Sequence, residues 1–271
     1  MMILLKYLGV AGWQIEAEGS SLLIDPYFTR ISLRTLLVGR AIPDTEVIRQ
    51  HTPRADFILV THPHYDHIMD VPDAAQITGA PVYVSPQGCD LLRILGTPDA
   101  QICQMLPGDS LTLGRFKVEV YESRHRRVFG SIPYYGPLAK GLRAPLRAAD
   151  YRMDYQYSFR LEVGDTRILV TSGIDEEPRI EADVLLVGAD PTRAQLAPIV
   201  EATKPRLVLP THWDDMFRPL SQPTRPMIIP PPTIFPRFER INLAAWQVLV
   251  KDLAPDAKVI LPELFKDITI S

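Results

Sequence analysis

Cysteine is nearly absent from this chain. Only Cys89 and Cys103 occur in 271 residues, too few and too isolated for a disulfide framework or a thiolate metal cluster. Two buried thiols in a reducing compartment are expected instead. Long apolar runs are also missing: no stretch reaches the roughly 20 residues that a bilayer-crossing helix needs. The apolar N-terminal stretch from Met1 to Val10 is short, is interrupted by Lys6 and runs into an alternating pattern. It reads as a strand rather than a leader segment. Nor is there an excess of one charge. A formal net charge of -3 gives no global attraction to nucleic acid or to an anionic membrane surface. A cytoplasmic protein with no transmembrane segment is the simplest expectation.

What is present is an ordinary globular balance, 46% apolar and 23% charged residues, on a chain long enough to bury a large core without covalent staples. Proline is abundant at 26 residues, which implies many fixed turns. Strands are expected at Ile3 to Leu8, Trp13 to Ala17 and Ser21 to Ile24, with Gly19-Ser20 as a turn. Residues 28 to 50 lack a regular pattern. Phe57 to Val60 is a continuous apolar run, the mark of a strand buried on both faces.

Further on, Asp70 to Thr78 carries a helix-start signal in Asp70 and Pro72, and Pro86 to Leu95 also reads as a helix, with a strand at Val82 to Val84 between them. Ile102 to Leu106, Ser110 to Leu113 and Phe116 to Tyr121 suggest a meander. Tyr157 to Val163 and Arg167 to Val170 suggest a hairpin around Gly164-Asp165. Strands at Val184 to Val187 and Arg206 to Leu209, helices at Ala194 to Ala202 and Leu243 to Leu253, and a strand near Val259 to Leu261 complete the reading. Length allows one or two domains. Strand-rich and mixed stretches alternate twice, a pattern that suits two similar halves. Residues 126 to 156 and 217 to 238 stand out as long loops, and long loops within compact domains are often functional.

Histidine is where the sequence becomes specific. Three of its six histidines fall in His62-Pro63-His64-Tyr65-Asp66-His67. An extended segment points residues i and i+2 to one side, so His62 and His64 can grip one ion. A turn into a helix would swing Asp66 and His67 toward a second point. Imidazole and carboxylate suit zinc and similar first-row metals. His125, Asp175 and His212 each follow an apolar strand, where sheet proteins commonly place active sites. A lone histidine after a strand is ordinarily a hydrogen-bonded structural residue, and Asp175 alone would pass for a turn residue. The hexapeptide resists that reading, because adjacent imidazoles and a carboxylate are costly to gather without a cation. His51 falls outside the pattern and reads as a surface or loop histidine.

The segment from Asp56 through Thr61 into His62-Pro63-His64-Tyr65-Asp66-His67 resembles the signature of the metallo-β-lactamase superfamily. Leu22-Leu23-Ile24-Asp25-Pro26, Gly108-Asp109, Gly173-Ile174-Asp175 and His212 extend the resemblance across most of the chain. Thr211-His212-Trp213 and the length look closest to the branch containing ascorbate-6-phosphate lactonase. The resemblance implies an α/β (α+β) fold, a four-layer αββα sandwich, as a single domain over residues 1–271 with loop insertions near 126–156 and 217–238. It implies two divalent metal ions, zinc first, with manganese or iron served by the same ligands. His62, His64 and His125 would hold one ion. Asp66, His67 and His212 would hold the other, and Asp175 would bridge them.

Two ions about 4 Å apart can share a hydroxide. That hydroxide would attack an ester, lactone or phosphodiester in a small, anionic substrate, with Asp66 as the catalytic carboxylate that orients it and carries its proton. Arg127, Tyr135 and Trp213 are candidate substrate contacts. The basic, aromatic segment 126 to 156 reads either as a lid over the site or as a solvated loop or oligomer contact. Trp213 either lines the pocket or packs beneath it. A metal-dependent nuclease and a mononuclear iron dioxygenase of the same fold are the alternatives. The charge balance and the complete second ligand set count against them. A small-molecule partner is expected, no nucleic acid is, and a homo-oligomer is left open.

Overall fold

Inward-facing Ile3, Leu5 and Tyr7 alternate with half-exposed Leu4 and Lys6 along β1 (Ile3–Gly9), the period-two pattern that buries one face of a strand. The computed structural model describes residues 2–173, 176–231 and 238–270. β2 (Gly12–Ala17) and β3 (Ser20–Ile24) continue from β1 as an antiparallel meander. The chain then leaves the sheet for two short helices, α1 (Leu33–Val38) and α2 (Thr45–His51), capped by the side chains of Ser32 and Asp44. These fill the segment where the sequence shows no regular pattern. α1 buries none of its residues, so it leaves no amphipathic trace to read.

β4 (Phe57–Leu59) returns parallel to β3, and α3 (Tyr65–Ile68) and α4 (Val71–Thr78) follow it directly. Gly79, with φ of 75°, takes the left-handed conformation that closes α4. β5 (Val82–Val84), α5 (Pro86–Ile94) and β6 (Ile102–Gln104) complete the first half as a strand–helix–strand crossover. β6 therefore pairs parallel with β5. The expected three-stranded meander is corrected here. A strand that returns from a helix lies parallel to its predecessor, so Ile102 to Gln104 belongs to the first sheet. Only the next two strands form a hairpin.

That hairpin is β7 (Ser110–Leu113) with β8 (Phe116–Ser123). After residues 124–155 the chain enters β9 (Gln156–Val163) and β10 (Thr166–Val170), paired as expected around Gly164-Asp165. β11 (Val184–Gly188), α6 (Arg193–Thr203) and β12 (Leu207–Thr211) follow. A small ribbon of β13 (Ile228–Ile229) and β14 (Glu239–Arg240) precedes α7 (Leu243–Leu253) and β15 (Lys258–Val259). β16 (Asp267–Ile270) crosses back to pair with β1.

The result is two seven-stranded mixed sheets, ordered β16-β1-β2-β3-β4-β5-β6 and β15-β12-β11-β10-β9-β8-β7, flanked by helices. Apart from β16, each half of the chain supplies one sheet. The buried apolar residues of both sheets form one continuous core, from Ile3 and Trp13 to Phe159 and Val208. Cys89 and Cys103 are both free thiols, and Cys103 is only half-buried. No described helix is long and apolar enough to cross a bilayer.

Candidate metal centre

The buried strand β4 sets the site's foundation, since Ile58, Leu59 and Val60 are fully buried. Beyond it the chain bends at Thr61, and His64 is extended at φ −70° and ψ 153° as the residue that caps α3. The single turn of α3 then carries Asp66 and His67 on a buried element. This is the extended-then-helical path that the spacing suggests. His125 follows β8 by two residues. His212 follows β12 directly and adopts φ of 51°, an uncommon conformation for a side-chain-bearing residue. Its amide donates to the Val10 carbonyl at 2.6 Å, which pins the turn to the first sheet. The Tyr157 amide donates to the Thr61 carbonyl at 2.9 Å, so the second sheet also braces the hexapeptide.

Six expected ligands come together as two adjacent groups. His62, His64 and His125 form one, and Asp66, His67 and His212 the other, with the donor atoms within each group no more than 4.8 Å apart. The groups touch: the His62 and His67 ring centroids lie 3.9 Å apart. Within the second group, Asp66 Oδ2 is 3.5 Å from His67 Nε2 and 3.3 Å from His212 Nε2. Asp175 lies outside the described residues. Its described neighbour Gly173 packs against the strand end that delivers His125, where a Cβ would collide with the Arg124 carbonyl and the Glu177 carboxylate.

The outward-facing ring nitrogens decide the chemistry of the inward ones. His64 Nε2 donates to the Pro133 carbonyl at 3.1 Å, and His125 Nδ1 to the Arg126 carbonyl at 2.8 Å. His67 Nδ1 donates to Asp25 Oδ2 at 2.7 Å. The Thr61 hydroxyl gives its proton to Asp25 Oδ2 at 2.5 Å, so at 3.0 Å it accepts from His62 Nδ1. These tautomers follow from the bonding partners. They leave His62 Nε2 and His64 Nδ1 facing each other at 3.1 Å with a lone pair on each. Such a contact is repulsive unless a cation lies between the two. It is close to the separation of about 3.3 Å that two nitrogens take on a tetrahedral ion with bonds of about 2.0–2.1 Å. The donor set therefore fits a first-row divalent metal.

Charge at the site points the same way. Burial, reinforced by the neighbouring imidazoles, drives His62 well below the ordinary histidine pKa. Burial and His125 do the same to His64, and burial brings His125 down to about 4. All three are neutral ligands at neutral pH. Burial would raise the Asp66 carboxyl, but His67, His212 and His64 around it hold it well below the usual carboxylate range. Burial would lower His67, yet Asp25 and Asp66 outweigh it and raise that ring. The two carboxylates thus draw positive charge to the place where a metal would supply it.

Asp25 and Thr61 were not singled out as site residues in the sequence. Asp25 directly follows β3, is fully buried at φ of 45° and accepts from Thr61 N at 2.7 Å as well as from His67. The available signal was an acidic residue directly after the strand beside β4. Segment 124–155 contributes more closely than foreseen through Pro133 and Tyr134. The Tyr134 ring lies edge-on to His64 with centroids 5.8 Å apart. Arg127 stands in a cleft beside His125. Tyr135 is 57% exposed, and its carbonyl accepts from Arg152. Trp213 is buried and stacked on Tyr7 with centroids 5.9 Å apart, so it packs beneath the site. His51 is not a loop residue. It closes α2 half-buried and stacks on Phe265 with centroids 4.8 Å apart, away from both groups.

Two groups of imidazole and carboxylate donors, gathered at strand ends between two helix-flanked sheets, define a class of fold built around a metal-binding rim. Residues 4–212 match the beta-lactamase superfamily domain, and the chain belongs to that family. A UPF0173 metal-dependent hydrolase of Pyrobaculum arsenaticum is 35% identical over 117 residues, 43% of this chain and 47% of that protein, so the match spans about half of that relative's length. A UPF0173 metal-dependent hydrolase of Symbiobacterium thermophilum is 26% identical over 215 residues, 77% of this chain and 83% of that one. The solved structure of Igni18, a novel metallo hydrolase from the hyperthermophilic archaeon Ignicoccus hospitalis, is similar with a TM-score of 0.62 at 16% identity. It covers 100% of this chain and 99% of that one, a likeness of fold.

Proposed function

We propose that this chain is a metal-dependent hydrolase acting on an ester, lactone or phosphodiester bond in a small anionic substrate. The observation that carries the reading is the pair of lone pairs on His62 Nε2 and His64 Nδ1, 3.1 Å apart beside a second donor group. The relatives named as metal-dependent hydrolases support it. In this reading His62, His64 and His125 would hold one divalent ion. Asp66, His67 and His212 would hold a second, and the family resemblance would add Asp175 to the ligands. Zinc suits the nitrogen-rich donors best, and manganese or iron would use the same set. Bound ions would supply Lewis acidity and lower the pKa of water at the site.

The chain's own residues then have defined tasks. Asp66, kept ionised by its imidazole neighbours, orients the attacking water and accepts its proton. His125 and His212 are the partly exposed members of the two groups, so substrate approaches from their side. The Tyr134 hydroxyl makes no hydrogen bond to the described residues and lies on the His64 side of the site. It is placed to donate to a developing oxyanion. Arg127 would receive the anionic part of the substrate. Tyr135 and Trp213 have weaker claims, one as an exposed rim residue and the other as support for the His212 turn.

The test is metal analysis of the purified protein followed by a panel of lactones, phosphodiesters and thioesters. Lactones belong in it because Thr211-His212-Trp213 is similar to the lactonase branch. One substrate class should be hydrolysed. The rate should fall at least about 100-fold in His64→Ala, beyond the loss typical of outer-shell partners. It should also fall on chelation and recover on adding metal. Full activity in protein stripped of metal would sink the reading.

A further inference from the structure

We propose that the cleft beside His125 is a subsite for an oxyanion, a carboxylate or phosphate, carried by the substrate at a distance from the bond that is cleaved. The proposal rests on the hydrolase reading above and deepens it. The cleft encloses about 340 Å³, within the roughly 300–1,000 Å³ range of small-molecule sites. His125 stands at one end. Arg124, Arg127 and Arg179 supply the charge, and Ala194, Pro198 and Ile199 of α6 supply an apolar wall.

The ionic partners show which of these charges is available. Arg124 is paired with Glu176. The Glu177 carboxylate accepts from the Gly173 amide at 2.8 Å and from the Ser158 hydroxyl at 2.5 Å. Arg126 turns away, paired with Asp190 at 2.7 Å and bonded to the Pro230 carbonyl. Arg127 donates only to the Gly130 carbonyl, at 3.2 Å, and Arg179 has no ion-pair or hydrogen-bond partner among the described residues. Two guanidinium groups without acidic partners among the described residues therefore face one cleft in a chain whose net charge is -3. Guanidinium forks recognise carboxylate and phosphate through paired, charge-assisted bonds. The wall of α6 offers contact for the apolar stretch joining that anion to the bond at the metal centre. The substrate class is then an apolar small molecule with a terminal oxyanion.

Calorimetric titration of metal-loaded protein with inorganic phosphate and with glutarate tests the subsite directly. Arg127→Gln combined with Arg179→Gln should weaken binding of both anions by at least about tenfold, with metal content and thermal midpoint unchanged. The Arg127→Lys, Arg179→Lys pair should retain most of the affinity. Equal affinity in the wild type and the Gln pair would overturn the proposal, because the anions would then sit on the metals. So would wild-type protein that binds neither anion. Arginine-dependent anion binding without hydrolysis of any panel substrate would remove the hydrolase reading and leave the subsite standing. Hydrolysis of a carboxylate-bearing ester as fast in the Gln pair as in the wild type would do the reverse.

Discussion

Asp25 accepts three hydrogen bonds, from Thr61 N at 2.7 Å, Thr61 Oγ1 at 2.5 Å and His67 Nδ1 at 2.7 Å. One carboxylate thus fixes the tautomer of His67 and, through the Thr61 hydroxyl, that of His62. A ring held this way keeps its inner nitrogen deprotonated and aimed, and the carboxylate raises its basicity as a ligand. Asp25→Asn is nearly the same size but places an amide N–H against groups that already donate. It should lower divalent-ion affinity by about 10–100-fold while the circular dichroism spectrum is retained. Competition with a chromophoric chelator measures this. Unchanged affinity would mean that packing alone orients His67.

At the scale of elements, α4 shows how local signals and tertiary structure diverge. Asp70 does stand at the helix start, yet its side chain makes no capping bond. It reaches instead to Phe28 N at 2.6 Å, Thr29 N at 2.8 Å and Thr29 Oγ1 at 2.7 Å, clamping the segment that leaves β3. Asp70→Ala would orphan two backbone donors in a buried setting. It should destabilise the fold by about 3 kcal/mol, read as a shift in the urea midpoint at constant slope. A loss below about 0.5 kcal/mol would contradict the clamp.

The same divergence explains what could be read in advance. Strands with strict alternation or continuous burial, such as Ile3 to Leu8 and Phe57 to Val60, announced themselves. So did α7, which begins at Leu243 and ends at Leu253 as its spacing suggests. β6 was misplaced because a three-residue strand does not say which sheet it joins. Of the site, the ligand types were legible because three imidazoles and a carboxylate crowd six positions. The role of Asp25 was not, since it arises only when β3 and β4 pair in parallel. Nor was that of Pro133, whose carbonyl meets His64 69 positions away in sequence.

At the scale of the whole molecule, one buried ion pair ties the two halves together next to the site. Asp214 follows the His212 turn in the second half, and Arg30 follows β3 in the first. Their side chains, each 1% exposed, meet at 2.8 Å. Asp214 also accepts from Tyr7 Oη at 2.6 Å and Val10 N at 2.7 Å, and Arg30 donates to the Asp215 carbonyl at 3.0 Å. Gly9 makes room for the pair, since a Cβ there would collide with the Arg30 guanidinium. Buried pairs are not intrinsically strong, but removing one member strands the other charge without solvent, at a cost of about 3–5 kcal/mol. Asp214→Ala should therefore lose that much stability by denaturant unfolding. It should also weaken metal binding through the His212 turn, because Val10 bonds both Asp214 and His212. Replacing both residues, Arg30→Met with Asp214→Leu, removes the stranded charge and should recover much of the stability but not the metal affinity. Recovery of both would show that the pair holds the fold and has no part in placing His212.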